Sequence, residues 1–389
     1  MLPFRNYFGV DYFVVDLLER ILGSEFLGGV VRIALIAAPF IKIPPRYYGG
    51  TELFIAHLAI GLRNLGHEVV IYATGDSEIP VEVRWIYPRG QWPIKGEPAE
   101  TLKEINHTAW AVRDAAETCD IVHINNAFGL PYSRFVQNPL VYTLHHPHDE
   151  TLSEFYSHYP DVQYVSISAF QQQQESMPRM QTIHHGVDFS LYQFREVKEP
   201  YLAFLGRIAP MKGTHLAIEI AKQTGIPLKI AGEIQPVFRG YFEREIEPQI
   251  DGKFIEYVGE ADLAAKNELL GNSLALLFPI QWDEPFGLVM IEAMACGTPV
   301  LALPGGSVAE IVKNGAGGFV CESLKELQEQ ARNIETSISP SIVRRYAEQH
   351  FSLRRMTLEY ERLYFEDLGQ KPLADLDELM EMGEEQSAA

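Results

Sequence analysis

The sequence predicts an α/β protein of two Rossmann-like, doubly wound parallel-sheet domains facing each other across a cleft. Three observations predict it. Short apolar runs rich in β-branched residues alternate with stretches of helical periodicity along nearly the whole chain, the pattern of β-α-β units that lay strands parallel in an open sheet. A strand, a glycine-containing loop and a helix open this pattern twice, near residue 31 and again near residue 201. The chain has 389 residues, 47% of them hydrophobic, which suffices for two cores and hardly for three.

Residues 1–30 form an N-terminal extension in which Phe8, Tyr12, Val15, Leu18 and Ile21 stand at helical spacing with Asp11, Asp16, Glu19 and Arg20 between them. An amphipathic helix is expected, packed on the body or meeting a partner or membrane surface; a barely structured leader is the other reading. The first domain, residues 31–195, opens with the apolar strand 31–38, a loop containing PPRYYGGTE and a helix over 53–65. Gly49 and Gly50, ahead of a helix start at Thr51, leave backbone amides room to meet a phosphate or a sugar, although a plain turn with Thr51 as the helix cap has the same sequence. Further short strands are expected at 67–73, 81–86, 120–124, 140–144 and 163–167, with a helix over 101–118. Ligands of such sheets sit beyond the carboxyl ends of the strands, which brings Asn125, Asn126 and the residues after Leu144 to the cleft. The residues after Leu144 are HHPHD. Consecutive histidines seldom converge on one metal ion and no fourth ligand is evident, so a neutral, cleft-lining imidazole is the better reading.

The second domain, residues 196–350, repeats the opening with strand 201–205, the loop GRIAPMKG and a helix over 214–224. Arg207 and Lys212 in that loop read singly as surface charge; at the carboxyl end of a strand they become a clamp for a diphosphate, Arg207 as a fork and Lys212 as a point charge. Strands follow at 228–231, 254–258 and 274–278, and then the run DEPFGLVMIEAMACGTPV over 283–300. Pro285 presets φ for a first helical turn, Gly287 lets a ligand approach the backbone, and residues 288–295 have helix-forming composition. Glu284 then stands at the mouth of the helix and Glu292 inside it. Free amides at a helix start suit an anion. Two carboxylates beside an anion are reasonable if each accepts hydrogen bonds from sugar hydroxyls, one on a transferred sugar and one on a ribose. A strand over 300–303 and the segment PGGSVAEIV come next; beyond Val320 the chain reads as helical, and residues 370–389 as a disordered acidic tail.

Composition excludes some classes. With 32 basic against 52 acidic side chains and a net charge of −20, general binding to nucleic acid is not expected. Cys119, Cys296 and Cys321 are far apart and form no C-x-x-C pair, which fits a reducing, cytoplasmic setting without zinc. No apolar run is long enough to span a bilayer and no secretion signal opens the chain.

The ordered signature EPFG, apolar helix, CGTPV, strand, PGGSVAEIV resembles the donor-binding segment of the family-4 retaining glycosyltransferases (glycosyl transferases group 1), which have the GT-B fold. The loop at Arg207 and Lys212 resembles that family's GRxxxxKG, Val141, Thr143 and His145 match its VxTxH, and GGTE resembles the phosphate loop of its first domain. The resemblance covers roughly residues 31–368. It implies that Glu284, Arg207, Lys212 and His145 are catalytic: Glu284 bonds the hydroxyls of the transferred sugar with the amides of Phe286, Gly287 and Leu288 assisting, His145 lies against that sugar, and Arg207 and Lys212 hold the diphosphate. It further implies that Glu292 bonds the ribose, that the backbone at Val258 and Gly259 lies near the base, that Gly49 and Gly50 belong to the donor site, and that the helix over 351–369 crosses back to the first domain. His146 and His148 become candidates for the acceptor side. His185 departs from the asparagine usual there, which touches only the local loop contacts.

The implied reaction moves a hexose, glucose or mannose, from a UDP- or GDP-sugar to a hydroxyl of a small molecule, lipid or glycan, with no cofactor. No metal is expected, because the only Asp-x-Asp is Asp375-Leu376-Asp377 in the tail. A nucleotide-sugar 2-epimerase and a non-catalytic GT-B scaffold are the alternatives.

Overall fold

Residues 29–370 of the computed structural model are described; the expected N-terminal helix and the acidic tail lie outside the described residues. The first domain is built on strands β1 (Arg32–Ile36), β2 (Glu68–Tyr72), β3 (Glu82–Arg84), β4 (Ile121–Ile124), β5 (Leu140–Thr143), β6 (Gln163–Ser166) and β7 (Met180–Thr182). They pair in the order β3-β2-β1-β4-β5-β6-β7, every pair parallel. The second domain carries β8 (Leu202–Leu205), β9 (Leu228–Ala231), β10 (Ile255–Gly259), β11 (Ala275–Phe278), β12 (Val300–Ala302) and β13 (Gly318–Val320), in the order β10-β9-β8-β11-β12-β13, again all parallel. Strands β4, β5, β8 and β11 are buried along their whole length, because helices cover both faces of a parallel sheet and leave no solvated side. Strand order reverses between β1 and β4 and between β8 and β11, so the crevice for a ligand lies beyond their carboxyl ends.

Element boundaries depart from expectation in a few places. The first helix spans Gly50–Asn64 with Gly49 as its N-cap, so Thr51 does not cap it. The next begins at Pro98 because Glu97 and Glu100 form a reciprocal capping box ahead of it. Strands β7 and β13 were not anticipated.

The expected crossover helix is Leu353–Asp367, preceded by Pro340–Phe351 and separated from it by Ser352, whose hydroxyl caps the new helix. It places Met356, Tyr360, Leu363, Tyr364 and Phe365 in the core of the first domain. A buried polar chain fixes its position: Tyr364 Oη lies 2.7 Å from His123 Nδ1, His123 Nε2 lies 2.8 Å from Thr143 Oγ1, and that hydroxyl lies 3.0 Å from Tyr360 Oη. Burial pushes His123 down to about 3, so the ring is neutral. Tyr364→Phe strands one of its nitrogens without a partner. The expected loss is about 1–3 kcal/mol, read as a lower urea midpoint, and an unchanged midpoint would show that the bond contributes nothing.

Candidate active site

The carboxyl ends of both sheets enclose a cavity of about 320 Å³. Of the expected site residues, all but Val258 line it: Gly49, Gly50 and His145 from the first domain, and Arg207, Lys212, Glu284, Phe286, Gly287, Leu288 and Glu292 from the second. Val258, expected near the base through its backbone, stands outside the lining. The β9–β10 ladder pairs Tyr257 with Ile230 and then Gly259 with Ala231, so Val258 is skipped at a bulge. Its side chain is 45% exposed, and Glu260 and Ala261, just beyond, line the cavity instead.

Helix Leu288–Ala295 begins as the sequence predicts, with Gly287 as N-cap at φ 81° and no side chain capping it. Its first amides are therefore left to a ligand, together with the positive end of the helix dipole. Only glycine fits at 287, because a Cβ would come within 2.7 Å of Met290 and 3.3 Å of Glu284. Gly49, at φ 139°, is likewise forced, since a Cβ would stand 2.9 Å from a carboxylate oxygen of Glu52.

Both glutamates are held by lysines. Lys212 Nζ lies 2.5 Å from Glu284 Oε2, which also accepts from Trp282 Nε1 at 2.9 Å. Lys266 Nζ donates to Glu292 Oε1 at 2.8 Å, and the Tyr192 hydroxyl donates to the same oxygen at 2.9 Å. Burial pulls the Lys212 ammonium below its ordinary range, with the charge of Glu284 pushing it back up. Burial, and then the charge of Glu292, raise the Tyr192 phenol well above its ordinary value. Arg207 differs. Its guanidinium donates to Gln235 Oε1 at 3.3 Å and faces the Phe238 ring, and among the described residues it makes no ion pair. Its guanidinium is thus free of a direct carboxylate contact among the described residues, where an anion would be held, although Glu233 and Glu260 line the same cavity.

On the opposite wall His145 is packed between Phe54, at 5.0 Å between ring centroids, and His185, at 5.8 Å and nearly parallel. Burial, followed by the charges of His185, His123 and His146, holds its pKa well below the ordinary value. His146 and His148 do not line the cavity: His146 Nε2 lies 2.6 Å from the Tyr156 hydroxyl, and His148 Nδ1 lies 3.0 Å from a Glu175 carboxylate oxygen.

Residues 192–349 match the family of glycosyl transferases group 1, and residues 48–191 match glycosyltransferase family 4. The chain belongs to the group 1, family-4 glycosyltransferases. D-inositol 3-phosphate glycosyltransferase of Mycobacterium marinum is 29% identical over 160 residues, 36% of this chain and 33% of that protein. The matched stretch thus spans about a third of the length of the curated relatives. Among solved structures, AviGT4, a glycosyltransferase involved in avilamycin A biosynthesis, superposes with a TM-score of 0.66 at 25% identity, covering 87% of this chain and 98% of its own. HepE of Anabaena, in complex with UDP and glucose, gives 0.68 at 19% identity over 86% and 99%, a likeness of fold. The two facing sheets and the C-terminal helix laid on the first domain are the GT-B architecture.

In this glycosyltransferase several wall residues escape sequence reasoning. Lys266 and Trp282 line the cavity yet belong to no motif; Trp282 stands two residues before Glu284, whereas only the fold brings Lys266, and the buried Tyr192 behind the wall, onto Glu292. His185 was discounted as a loop contact, yet it lines the cavity, meets Phe286 edge-on at 4.9 Å, and has a buried Nδ1 without a partner. Its departure from the family pattern was the available signal.

Proposed function

We propose that this glycosyltransferase moves a hexose, glucose or mannose, from a nucleoside diphosphate sugar to an acceptor hydroxyl, with retention of anomeric configuration and without a metal ion. The observation that carries this reading is one cavity holding Arg207 without a direct ion pair, an uncapped helix start at Gly287 and two lysine-held carboxylates. Negative charge develops on the β-phosphate as it leaves the anomeric carbon. Arg207, Lys212 and the amides at Gly287 and Leu288 stabilise it; losing one such group typically costs about 10² to 10³ in rate. Lys212 has two tasks in this scheme, since its ammonium also neutralises Glu284 until sugar hydroxyls arrive. Departure and attack occur on the same face, and the leaving phosphate takes the acceptor proton. His145 flanks the sugar from the first domain. UDP in the HepE structure makes a UDP-hexose the first donor to try; the acceptor is a small molecule, lipid or glycan.

Calorimetric titration with UDP, GDP and ADP in excess chelator, followed by slow hydrolysis of the matching sugar nucleotides, tests the reading. One nucleotide is expected to bind, and to be released from its sugar form, at undiminished rate in chelator. Activity lost to chelator and restored by manganese overturns the metal-free scheme, and no binding by any of the three overturns the clamp.

A further inference from the structure

We propose that Asn125 is a positioning residue that fixes His145 in the Nε2–H tautomer, so that Nδ1 offers a lone pair to a hydroxyl of the transferred sugar. The role of the sugar rests on the function proposed above; the tautomer does not.

Asn125 follows β4 at the switch point of the first sheet and is buried. Its side-chain Nδ2 donates to the carbonyl of Ile36, at the end of β1, at 3.2 Å, while its own backbone N–H donates to the same carbonyl at 3.1 Å. A carbonyl can only accept, so it must face the NH₂ end of the amide. That leaves Oδ1 toward the imidazole, 2.8 Å from His145 Nε2. An amide oxygen is also only an acceptor, so Nε2 must carry the proton and the neutral ring keeps its lone pair on Nδ1.

The ring is neutral for independent reasons. It is buried, which disfavours its charged form, and the titratable groups facing it, His185, His123 and His146, bring no carboxylate that would stabilise a charge. His185 and Phe54 pack against the ring and fix its plane, and the ring lines the cavity. Asn125 thus selects which nitrogen carries the proton, and the ring packing selects where the other one points. An imidazole in this state accepts a hydrogen bond from a sugar hydroxyl and cannot donate one through Nδ1.

The test is ¹⁵N NMR of the full chain labelled at histidine, with the His145 signals assigned by their loss in His145→Gln. The unliganded wild type is expected to show a protonated Nε2 and a bare Nδ1 near neutral pH; a proton on Nδ1 instead overturns the proposal. Asn125→Leu removes the acceptor at similar size and is expected to mix the two tautomers. It should lower kcat for donor hydrolysis about tenfold, the scale of one hydrogen bond, with nucleotide affinity within about twofold. Asn125→Asp, which keeps an acceptor at the same place, is expected to preserve the proton on Nε2 while raising the pKa of the ring. Should Asn125→Leu fold poorly, the wild-type and Asn125→Asp spectra still decide. Absence of nucleotide binding with the Nε2–H tautomer intact would sink the donor-site reading and leave the positioning role of Asn125 standing.

Discussion

Glu284→Ala is expected to lower donor turnover by about 10² to 10³ while leaving nucleotide affinity within roughly threefold, and Glu292→Ala to do the reverse, weakening nucleotide binding about tenfold or more. The division follows from position. Glu284 stands before the helix start, joined to Lys212 and Trp282, where a sugar attached to the diphosphate would lie. Glu292 is inside the helix, joined to Lys266 and Tyr192, where a ribose would reach. Each substitution also strips a lysine of its partner, and removing one member of a buried pair costs more than the pair contributes. The glutamine variants therefore belong in the same experiment: they keep a hydrogen-bond acceptor and the side-chain shape while removing the charge. Steady-state turnover together with calorimetric nucleotide affinity separates the roles. Equal effects on both quantities in both alanine variants would contradict the division.

The sequence made the second-domain half of this site legible because its parts lie close together in the chain. Pro285, Gly287 and the apolar run after them are local signals, and the helix Leu288–Ala295 has the expected limits. The GRIAPMKG loop is local as well, and the helix behind it spans the expected Thr214–Thr224. What escaped is held by distance or by weak pattern. The contact of Tyr192 with Glu292 joins residues 100 apart, and no periodicity encodes it. Strands β7 and β13, Met-Gln-Thr and Gly-Phe-Val, each have three residues at a sheet edge and carry no apolar run to mark them. At Val258 a bulge interrupts the alternation along β10, a feature no apolar pattern marks. The histidines around His145 were visible as residue types only; which nitrogen each one uses depends on partners from β1, β4 and the loop after β7.

Glu52→Gln is expected to stabilise the protein by about 3 kcal/mol at pH 8 and to have almost no effect at pH 4.5. Glu52 lies in the first turn of helix Gly50–Asn64, where the helix dipole favours a carboxylate. Burial opposes this and prevails: the side chain is only 7% exposed and its pKa is pushed up to about 7 from 4.5, by desolvation first and by the nearby charge of Glu104 as a smaller cause. In the unfolded chain the group releases its proton near 4.5, so between about pH 4.5 and 7 the folded state binds more protons than the unfolded one. Stability therefore falls as pH rises through that window, and the full penalty of about 1.36 kcal/mol per pKa unit is reached above pH 7. A neutral amide of the same shape carries no such penalty, so its advantage must grow with pH. Urea midpoints of both proteins at pH 4.5, 6 and 8 measure it, and a difference that is constant across the three would show that the effect is packing and not ionisation. A residue that costs this much beside Gly49 at the cavity wall is one that selection for stability alone would remove. Turnover that falls as stability rises in Glu52→Gln would show that the ionisable group serves the reaction from the first-domain wall.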